Sequence, residues 1–326
     1  MKNYFGFSLT GIKLLPVWLA FYLLFLVPYV ILSIKMGDIQ QEVAPGELFS
    51  AMRLYYGILA FLIVIQFIFM FYIYKLMIKN TQYNNQTLEF NGTLLRYLGV
   101  VFLGGFLSII TLGIYYSWFV KKLLGFYVDN STMENESFKF KGKGGKLFLI
   151  FLLALFIPII LLVVLFATVG KSCFDPGICA SALGETGVIT FGIVAISEIV
   201  MLFIMVPFIY LYYKWIVNIN YKNYNVRFDT GFWNSCGKIA LELFLSIITI
   251  GIYSPAAGIK IYKYFADRTV AQSAETKRSF GFEANNWSDF LYIWGQTLLT
   301  IITIGIYAPW CICNVNKRIL SRTYLE

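Results

Sequence analysis

The sequence predicts an all-α integral membrane protein of about ten transmembrane helices, paired as five tandem helical hairpins with short cytoplasmic β-hairpins between them. Three observations lead there: a composition too apolar for water, a module that recurs along the chain, and Lys and Arg gathered on one side of the apolar runs. Of 326 residues, 59% are hydrophobic and only 13% charged, against the ~25% charged of soluble domains. A mean hydropathy of +0.72 exceeds what a core of this size can bury. The solvent for much of this surface is lipid.

The module is seen in three matching stretches. Ser108-Ile-Ile-Thr-Leu-Gly-Ile-Tyr115, Ser246-Ile-Ile-Thr-Ile-Gly-Ile-Tyr253 and Thr300-Ile-Ile-Thr-Ile-Gly-Ile-Tyr307 each follow a Phe at the same offset, from Phe90 to Thr111, Phe228 to Thr249 and Phe282 to Thr303. That Phe ends an alternating apolar-x-Phe pattern present five times: Phe5-Gly-Phe7, Leu88-Glu-Phe90, Phe138-Lys-Phe140, Val226-Arg-Phe228 and Phe280-Gly-Phe282. Alternation of period two reads as a short strand, and the Asn-rich linkers upstream (Asn80 to Asn85, Asn130 to Asn135, Asn218 to Asn223) read as hairpin turns. One membrane domain, 1–326, thus divides into units 4–85, 86–136, 137–224, 225–278 and 279–326.

Helices follow from the runs between these strands. Units one and three carry two long apolar runs each, 14–34 with 54–77 and 147–169 with 188–217. About twenty apolar residues span a bilayer. The first run is too long for a signal-peptide core and no small-x-small cleavage site follows it. Units two, four and five have one long run, a break, then a shorter basic segment. In the break, Gly113, Gly251 and Gly305 suit a helix C-terminus. Ser254 and Pro255, like Pro309 with Trp310, suit the start of the next helix. Units four and five are alike enough to share an orientation, and 266–281 holds nothing that crosses a bilayer, so each unit crosses twice or dips in and returns. With both termini inside, the outer loops hold only Lys35, Arg53 and Lys171 of the 26 Lys and Arg. That asymmetry predicts cytoplasmic termini.

A Phe-x-Gly strand followed some twenty residues later by Ile-Thr-Leu-Gly-Ile-Tyr-x-Pro-Trp resembles the YjgN family of bacterial inner-membrane proteins. The likeness is strongest over 90–118, 228–255 and 282–310. Ala256 stands where the other copies carry Trp118 or Trp310, and Ser117 stands where a Pro is expected. The resemblance implies a bacterial inner-membrane location and brings no activity.

Net charge is +9 with no histidine, so the usual neutral-pH proton carrier and the commonest metal ligand are both missing. No phosphate loop, nucleophile motif or metal cluster is present, and no enzyme activity, cofactor or metal is expected. The candidate residues are polar ones inside apolar segments. Were the short segments to span, Lys121, Lys260 and Lys263 would lie at membrane depth, either lining a cationic, water-filled interior or snorkelling to inner-leaflet phosphates. Glu242 lies four residues after Lys238, a spacing that offers an ion pair, and Gln296 is its counterpart in the next unit. Glu198 has no local partner and is either a proton or cation site or an outer-surface residue. Tyr115, Tyr253 and Tyr307, with Trp118 and Trp310, read as aromatic markers of the membrane interface. Cys173 and Cys179 bracket Phe-Asp-Pro-Gly-Ile in an outer loop, where a disulfide and two free thiols are both open readings; Cys236, Cys311 and Cys313 read as small apolar packing.

The function these features point to is transport or binding of a small or amphiphilic solute, an anionic one in the reading where the lysines line a cationic interior. The competing reading is a non-transporting scaffold that binds anionic inner-leaflet headgroups or a partner protein, with nucleic acid excluded as a partner in either case.

Overall fold

The computed structural model describes residues 2–42, 45–160, 163–164, 200–201 and 204–326. It overturns the all-α expectation. The short alternating segments pair with one another in a single eleven-stranded antiparallel sheet, in the order β3-β2-β1-β11-β10-β9-β8-β7-β6-β5-β4. The strands are β1 (Asn3–Phe7), β2 (Thr81–Tyr83), β3 (Gln86–Thr87), β4 (Glu89–Phe90), β5 (Ser131–Met133), β6 (Glu136–Phe140), β7 (Ile219–Tyr221), β8 (Tyr224–Phe228), β9 (Thr269–Gln272), β10 (Lys277–Phe282) and β11 (Thr323–Leu325). The two ends of that order, β3 and β4, are halves of one run separated only by Leu88, whose N–H donates to Thr81 O at 2.9 Å. The sheet therefore curls round on itself as a near-barrel. The other seam joins strands far apart in sequence, with Asn3 opposite Leu325 and Tyr4 opposite Tyr324.

Two-residue connections explain how such short strands hold register. Asn84 and Asn85 (φ 50° and 63°) join β2 to β3, and Glu134 and Asn135 (φ 54° and 62°) join β5 to β6. Left-handed conformation at both central residues matches the twist of the flanking strands, and Asn tolerates it best. The register sets Phe5, Phe138 and Phe280 on the same face as Phe7, Phe140 and Phe282. This face is the concave one: the Phe5 and Phe280 rings lie 6.1 Å apart and the Arg278 guanidinium donates to the Tyr83 hydroxyl at 3.2 Å, in both cases across intervening strands.

Helices leave one rim of the sheet and return to it. They are α1 (Gly11–Phe21), which runs through a π-helical turn, Tyr22–Leu26, into α2 (Val27–Glu42); α3 (Pro45–Lys79); α4 (Leu94–Ile110); α5 (Tyr116–Asp129); α6 (Gly144–Ile160); α7 (Ile204–Ile216); α8 (Phe232–Ile248); α9 (Ser254–Asp267); α10 (Asn286–Ile302); and α11 (Ala308–Leu320). Each terminal Phe of the alternating pattern roots a separate hydrophobic cluster at this rim. Phe7 packs with Leu14 and Cys313, Phe90 with Phe71 and Phe126, Phe140 with Leu147 and Trp215, Phe228 with Tyr210 and Phe265, and Phe282 with Ile259. Every cluster joins a helix entering the rim to one leaving it, and α11 packs back on α1.

The expected ten transmembrane helices are a second correction. Among the described residues, only 11–36 and 52–79, at 26 and 28 residues, are long and apolar enough to cross a membrane. At 1.5 Å per residue, α4 and α5 rise about 25 and 21 Å, short of the ~30 Å hydrocarbon core. A hydropathy window merges each helix with its apolar turn and reads the sum as a span.

Two predictions follow from the seams. Adding a methyl at Gly281 drives it to 2.4 Å from the Tyr324 ring, whereas a Cβ at Gly237, in the middle of α8, meets nothing within 4 Å. Gly281→Ala is expected to lower unfolding stability by about 1–3 kcal/mol, and Gly237→Ala to raise it by about 0.5–1 kcal/mol, read by denaturant unfolding in detergent. At the β1–β11–β10 seam, Lys2 Nζ and the Tyr4 hydroxyl both donate to Glu283 at 2.8 Å. The Lys2 hydrogen bond, followed by that of Tyr4, holds Glu283 below its ordinary 4.5, and the Glu283 hydrogen bond lifts Lys2 above its ordinary 10.5. A lowered carboxylate stabilises the fold above its unfolded value and loses that contribution as pH falls through its folded value; a raised amine loses its contribution as pH rises through its own. The stability advantage of wild type over Glu283→Gln should therefore be present at neutral pH and vanish on acidification below about pH 4, as followed by melting temperature.

Candidate functional site

The Ile-Thr-x-Gly-Ile-Tyr motif builds a helix-to-helix turn. Leu112, Ile250 and Ile304 take φ of 50–51°, followed by Gly113, Gly251 and Gly305 at φ 87°, 80° and 84°. The glycine N–H reaches back to Ser108 O, Ser246 O and Thr300 O at 2.7–2.8 Å. The threonine does two jobs: Thr111, Thr249 and Thr303 donate to the helix before them and accept the N–H of Tyr115, Tyr253 and Tyr307 at 2.9–3.0 Å. The N-cap of α9 is Tyr253 rather than Ser254, with Pro255 in the first turn; Pro309 occupies the corresponding place in α11. Tyr115 stacks on Trp118 and Tyr307 on Trp310, while Ala256, lacking an indole, is buried.

Two of these tyrosines turn inward to a polar group. Glu242, 1% exposed, accepts from Lys238 Nζ at 2.6 Å through Oε1 and from the Tyr253 hydroxyl at 2.8 Å through Oε2; Lys260 Nζ donates to the same hydroxyl at 2.6 Å and lies 4.0 Å from Oε2. One buried carboxylate thus sits between two ammonium groups and a phenol, about three turns from the sheet. In the α10–α11 hairpin the same places hold Gln296, Tyr307 and Asn314. Tyr307 and Asn314 both donate to Gln296 Oε1, at 3.2 and 3.0 Å. The charged triad has a neutral copy. In the α4–α5 hairpin Gly104 takes the place of the acid, and a Cβ there would strike the Phe119 ring.

The other basic candidates lie elsewhere. Lys263 donates to Phe282 O at 3.0 Å and pairs with Asp267 at 3.2 Å, so it belongs to the sheet rim. The counterpart of Lys260 is Lys122, whose ammonium lies 5.7 Å over the Tyr115 ring, and not Lys121. Lys121 instead lines an open cavity with Trp118 and Lys122 between α5 and the start of α6. Glu198, Cys173 and Cys179 lie outside the described residues, so none of the readings made for them meets the structure.

A second buried acid was not among the sequence candidates. Asp289, 1% exposed, receives Arg318 Nε and Arg322 Nη1 at 2.7 Å on Oδ1 and the Asn285 N–H at 2.9 Å on Oδ2. Asn285 in turn caps α10 by accepting the Ser288 N–H. A search for acids in long apolar runs passes over Asp289 because it lies in the first turn of its helix. Its signal is reciprocal capping, an Asn followed four residues later by an acid.

Comparison with known proteins places this geometry. Residues 2–284 match a family described as "Bacterial protein of unknown function (DUF898)". The chain belongs to this family. It is also 35% identical over 83 residues to a protein of Salmonella typhimurium named inner membrane protein YjgN, a match covering 26% of this chain and 21% of that relative. The two findings together support the YjgN-family membership read from the motifs. The chain spans about a fifth of that relative, and no solved structure matches.

Replacing Glu242 by Leu strands Lys238, Lys260 and the Tyr253 hydroxyl around an apolar side chain. Removing one member of a buried ionic group costs about 3–5 kcal/mol. Glu242→Leu should lose stability on that scale, and Glu242→Leu combined with Lys238→Met and Lys260→Met should recover much of it, as measured by unfolding in detergent.

Proposed function

We propose that this chain is a bacterial inner-membrane protein with its curled sheet on the cytoplasmic face and its helix hairpins set into the bilayer, and that it acts as a non-enzymatic scaffold binding anionic lipid headgroups. One observation carries the reading: exposure and charge run in opposite directions along the α4–α5, α8–α9 and α10–α11 hairpins. At the turns Leu112, Ile250 and Ile304 are 94%, 92% and 78% exposed. Apart from Lys35 and Arg53, every Lys and Arg of the described residues lies in the sheet, its connections or the two or three helical turns nearest it. Such a body suits lipid at one end and an anionic surface at the other.

Two of the three turns also meet a requirement that lipid imposes, since an unbonded carbonyl in hydrocarbon costs several kcal/mol. Trp18 Nε1 donates to Gly305 O at 3.0 Å, the Tyr22 hydroxyl to Ile304 O at 3.1 Å, and Trp294 Nε1 to Ile252 O at 2.7 Å. In each case the donor comes from the neighbouring hairpin. The segments 11–36 and 52–79 supply the crossings, and the shorter hairpins enter from the cytoplasmic side. The inner-membrane name of the Salmonella relative supports the location, and the excess of basic residues at the sheet end supports the orientation.

A transport role has a specific observation of its own: the Glu242–Tyr253–Lys260 triad is an ionisable group held deep in a hairpin, where such residues commonly serve ion or proton movement. Its neutral copy at Gln296 tells against it, since the same geometry persists without charge. The internal repeat suits either role.

Depth is the test. With a fluorophore at Leu112→Cys, Ile250→Cys or Ile304→Cys in lipid nanodiscs, quenching by brominated acyl chains and protection from iodide are expected. The reverse is expected at Lys139→Cys on the sheet. Efficient iodide quenching at all three turns removes the embedding, and the scaffold reading with it.

A further inference from the structure

We propose a phosphate-binding site at the junction between β6 and α6, where the lysines of Lys141-Gly142-Lys143-Gly144 meet Lys121 and Lys122 of α5. This inference rests on the membrane-embedded reading above and adds to it a single place and a single chemistry. A cavity of about 400 Å³ lies there, lined by all four lysines together with Trp118. Among the described residues none of the four lysines has a carboxylate partner within 4.0 Å.

Five junctions of like backbone make the comparison internal to the molecule. At each, the residue after the buried Phe donates its N–H to the chain returning from a helix: Ser8 to Asn80, Asn91 to Asn130, Lys141 to Asn218, Asp229 to Arg268 and Glu283 to Arg322, all at 2.8–3.0 Å. The fold is indifferent to that side chain. Where it is an acid, an amine answers it: Asp229 pairs with Lys277 and Glu283 with Lys2. Where it is Lys141, three further lysines line the same cavity. The acid beside it, Asp129, accepts the Phe140 N–H at 2.8 Å and forms no ion pair with any of the four. The indole is not what distinguishes the place, because Trp310 packs on Gly11 just as Trp118 packs on Gly144, each so closely that a Cβ on the glycine would fall within 2.6 Å of the ring. The lysines are what differ.

Four lysines line one cavity, the Lys122 ammonium also lying 5.7 Å over the Tyr115 ring, and like charges gathered in this way favour an anion between them. The start of α6 adds to the attraction: its N-cap, Lys143, makes no side-chain cap, and Gly144, the first residue of the helix, lines the cavity. Lysine is a point-charge donor suited to tetrahedral phosphate. Basic pockets between helices at the cytoplasmic boundary are where lipid headgroups are held. The ligand chemistry is therefore a phosphate mono- or diester, carried by an anionic phospholipid or free in solution.

The test uses the full chain in nanodiscs of phosphatidylcholine doped with phosphatidylglycerol, with bound lipid counted by native mass spectrometry after release into detergent. Wild type should retain phosphatidylglycerol in preference to phosphatidylcholine. Lys141→Ala with Lys143→Ala should weaken that retention by at least about tenfold, Lys141→Arg with Lys143→Arg should keep it, and Lys79→Ala with Lys317→Ala, elsewhere on the rim, should leave it unchanged. Displacement of the lipid by millimolar inorganic phosphate, dependent on Lys141 and Lys143, supports the site and assigns it to the free anion. Equal retention in the alanine pair and wild type, or equal loss in the Lys79 and Lys317 pair, overturns it. Turn-quenching on the same discs separates the two ideas: embedded turns with indifferent lysines sink only this site, whereas water-quenched turns sink the embedding whatever the lysines do.

Discussion

Every feature of this fold depends on a backbone ladder that leaves almost no free edge. The strands are two to six residues long, too short to be stable as isolated hairpins. They persist because every strand except the two at the ends of the order, β3 and β4, is bonded on both sides, and because those ends meet through Leu88. A curled sheet has one concave face and two rims, and all helices leave from the same rim. That geometry brings a Phe from each alternating pattern between an arriving and a departing helix, so five small cores arise where a single central one would be expected. Sheet closure and helix packing are thus one event, and neither is self-sufficient.

The constraint explains which parts of the structure were legible in sequence. The alternating apolar-x-Phe segments and the Asn-Asn turn at 84–85 are local signals, with their strand character visible within five residues. That Asn3 faces Leu325 is not a local fact, and no window over the chain contains it. Read one at a time, the strands look like decorations on a helical protein; only pairing between units makes them a sheet. Hydropathy misled in the opposite direction. In 94–114 it counts the apolar turn as part of the helix, although Leu112 and Gly113 lie past the end of α4. A run of some twenty apolar residues therefore has the hydropathy of a span, although it consists of a seventeen-residue helix and an exposed turn.

Side-chain chemistry was legible where both partners sit one helical turn apart inside an apolar run. The Lys238–Glu242 contact follows from spacing alone. Its other half does not: Tyr253 comes to Glu242 because the Thr249 cap and the left-handed pair Ile250-Gly251 fold α9 back against α8. The same turn brings Tyr307 to Gln296. Since both hairpins hold the shape, one with a carboxylate and one with an amide, the tyrosine contact belongs to the turn and the charge is an addition to it. The aromatic residues of the motif thus serve the backbone first. Asp289 makes the complementary point, as a capping acid that became buried because Arg318 and Arg322 return to it from the far end of the next helix.

Where five positions share a backbone, whatever differs among them is free of the fold and open to another use. At the junction after each buried Phe, the backbone hydrogen bond is met by Ser8, Asn91, Lys141, Asp229 and Glu283 alike. Packing therefore asks for no particular side chain there. Two of the five carry an acid with its matching amine, which is electrostatically complete within the protein. The Lys141 junction is not, and its excess charge lies at the level where the hairpins leave the sheet. A body whose apolar turns are exposed at one end needs something to hold its depth and tilt at the other. In the embedding proposed above, charge without a carboxylate partner in the protein would lie at the headgroup boundary and supply a fixed point of that kind, and its presence at one junction out of five would give the body a direction in the membrane plane.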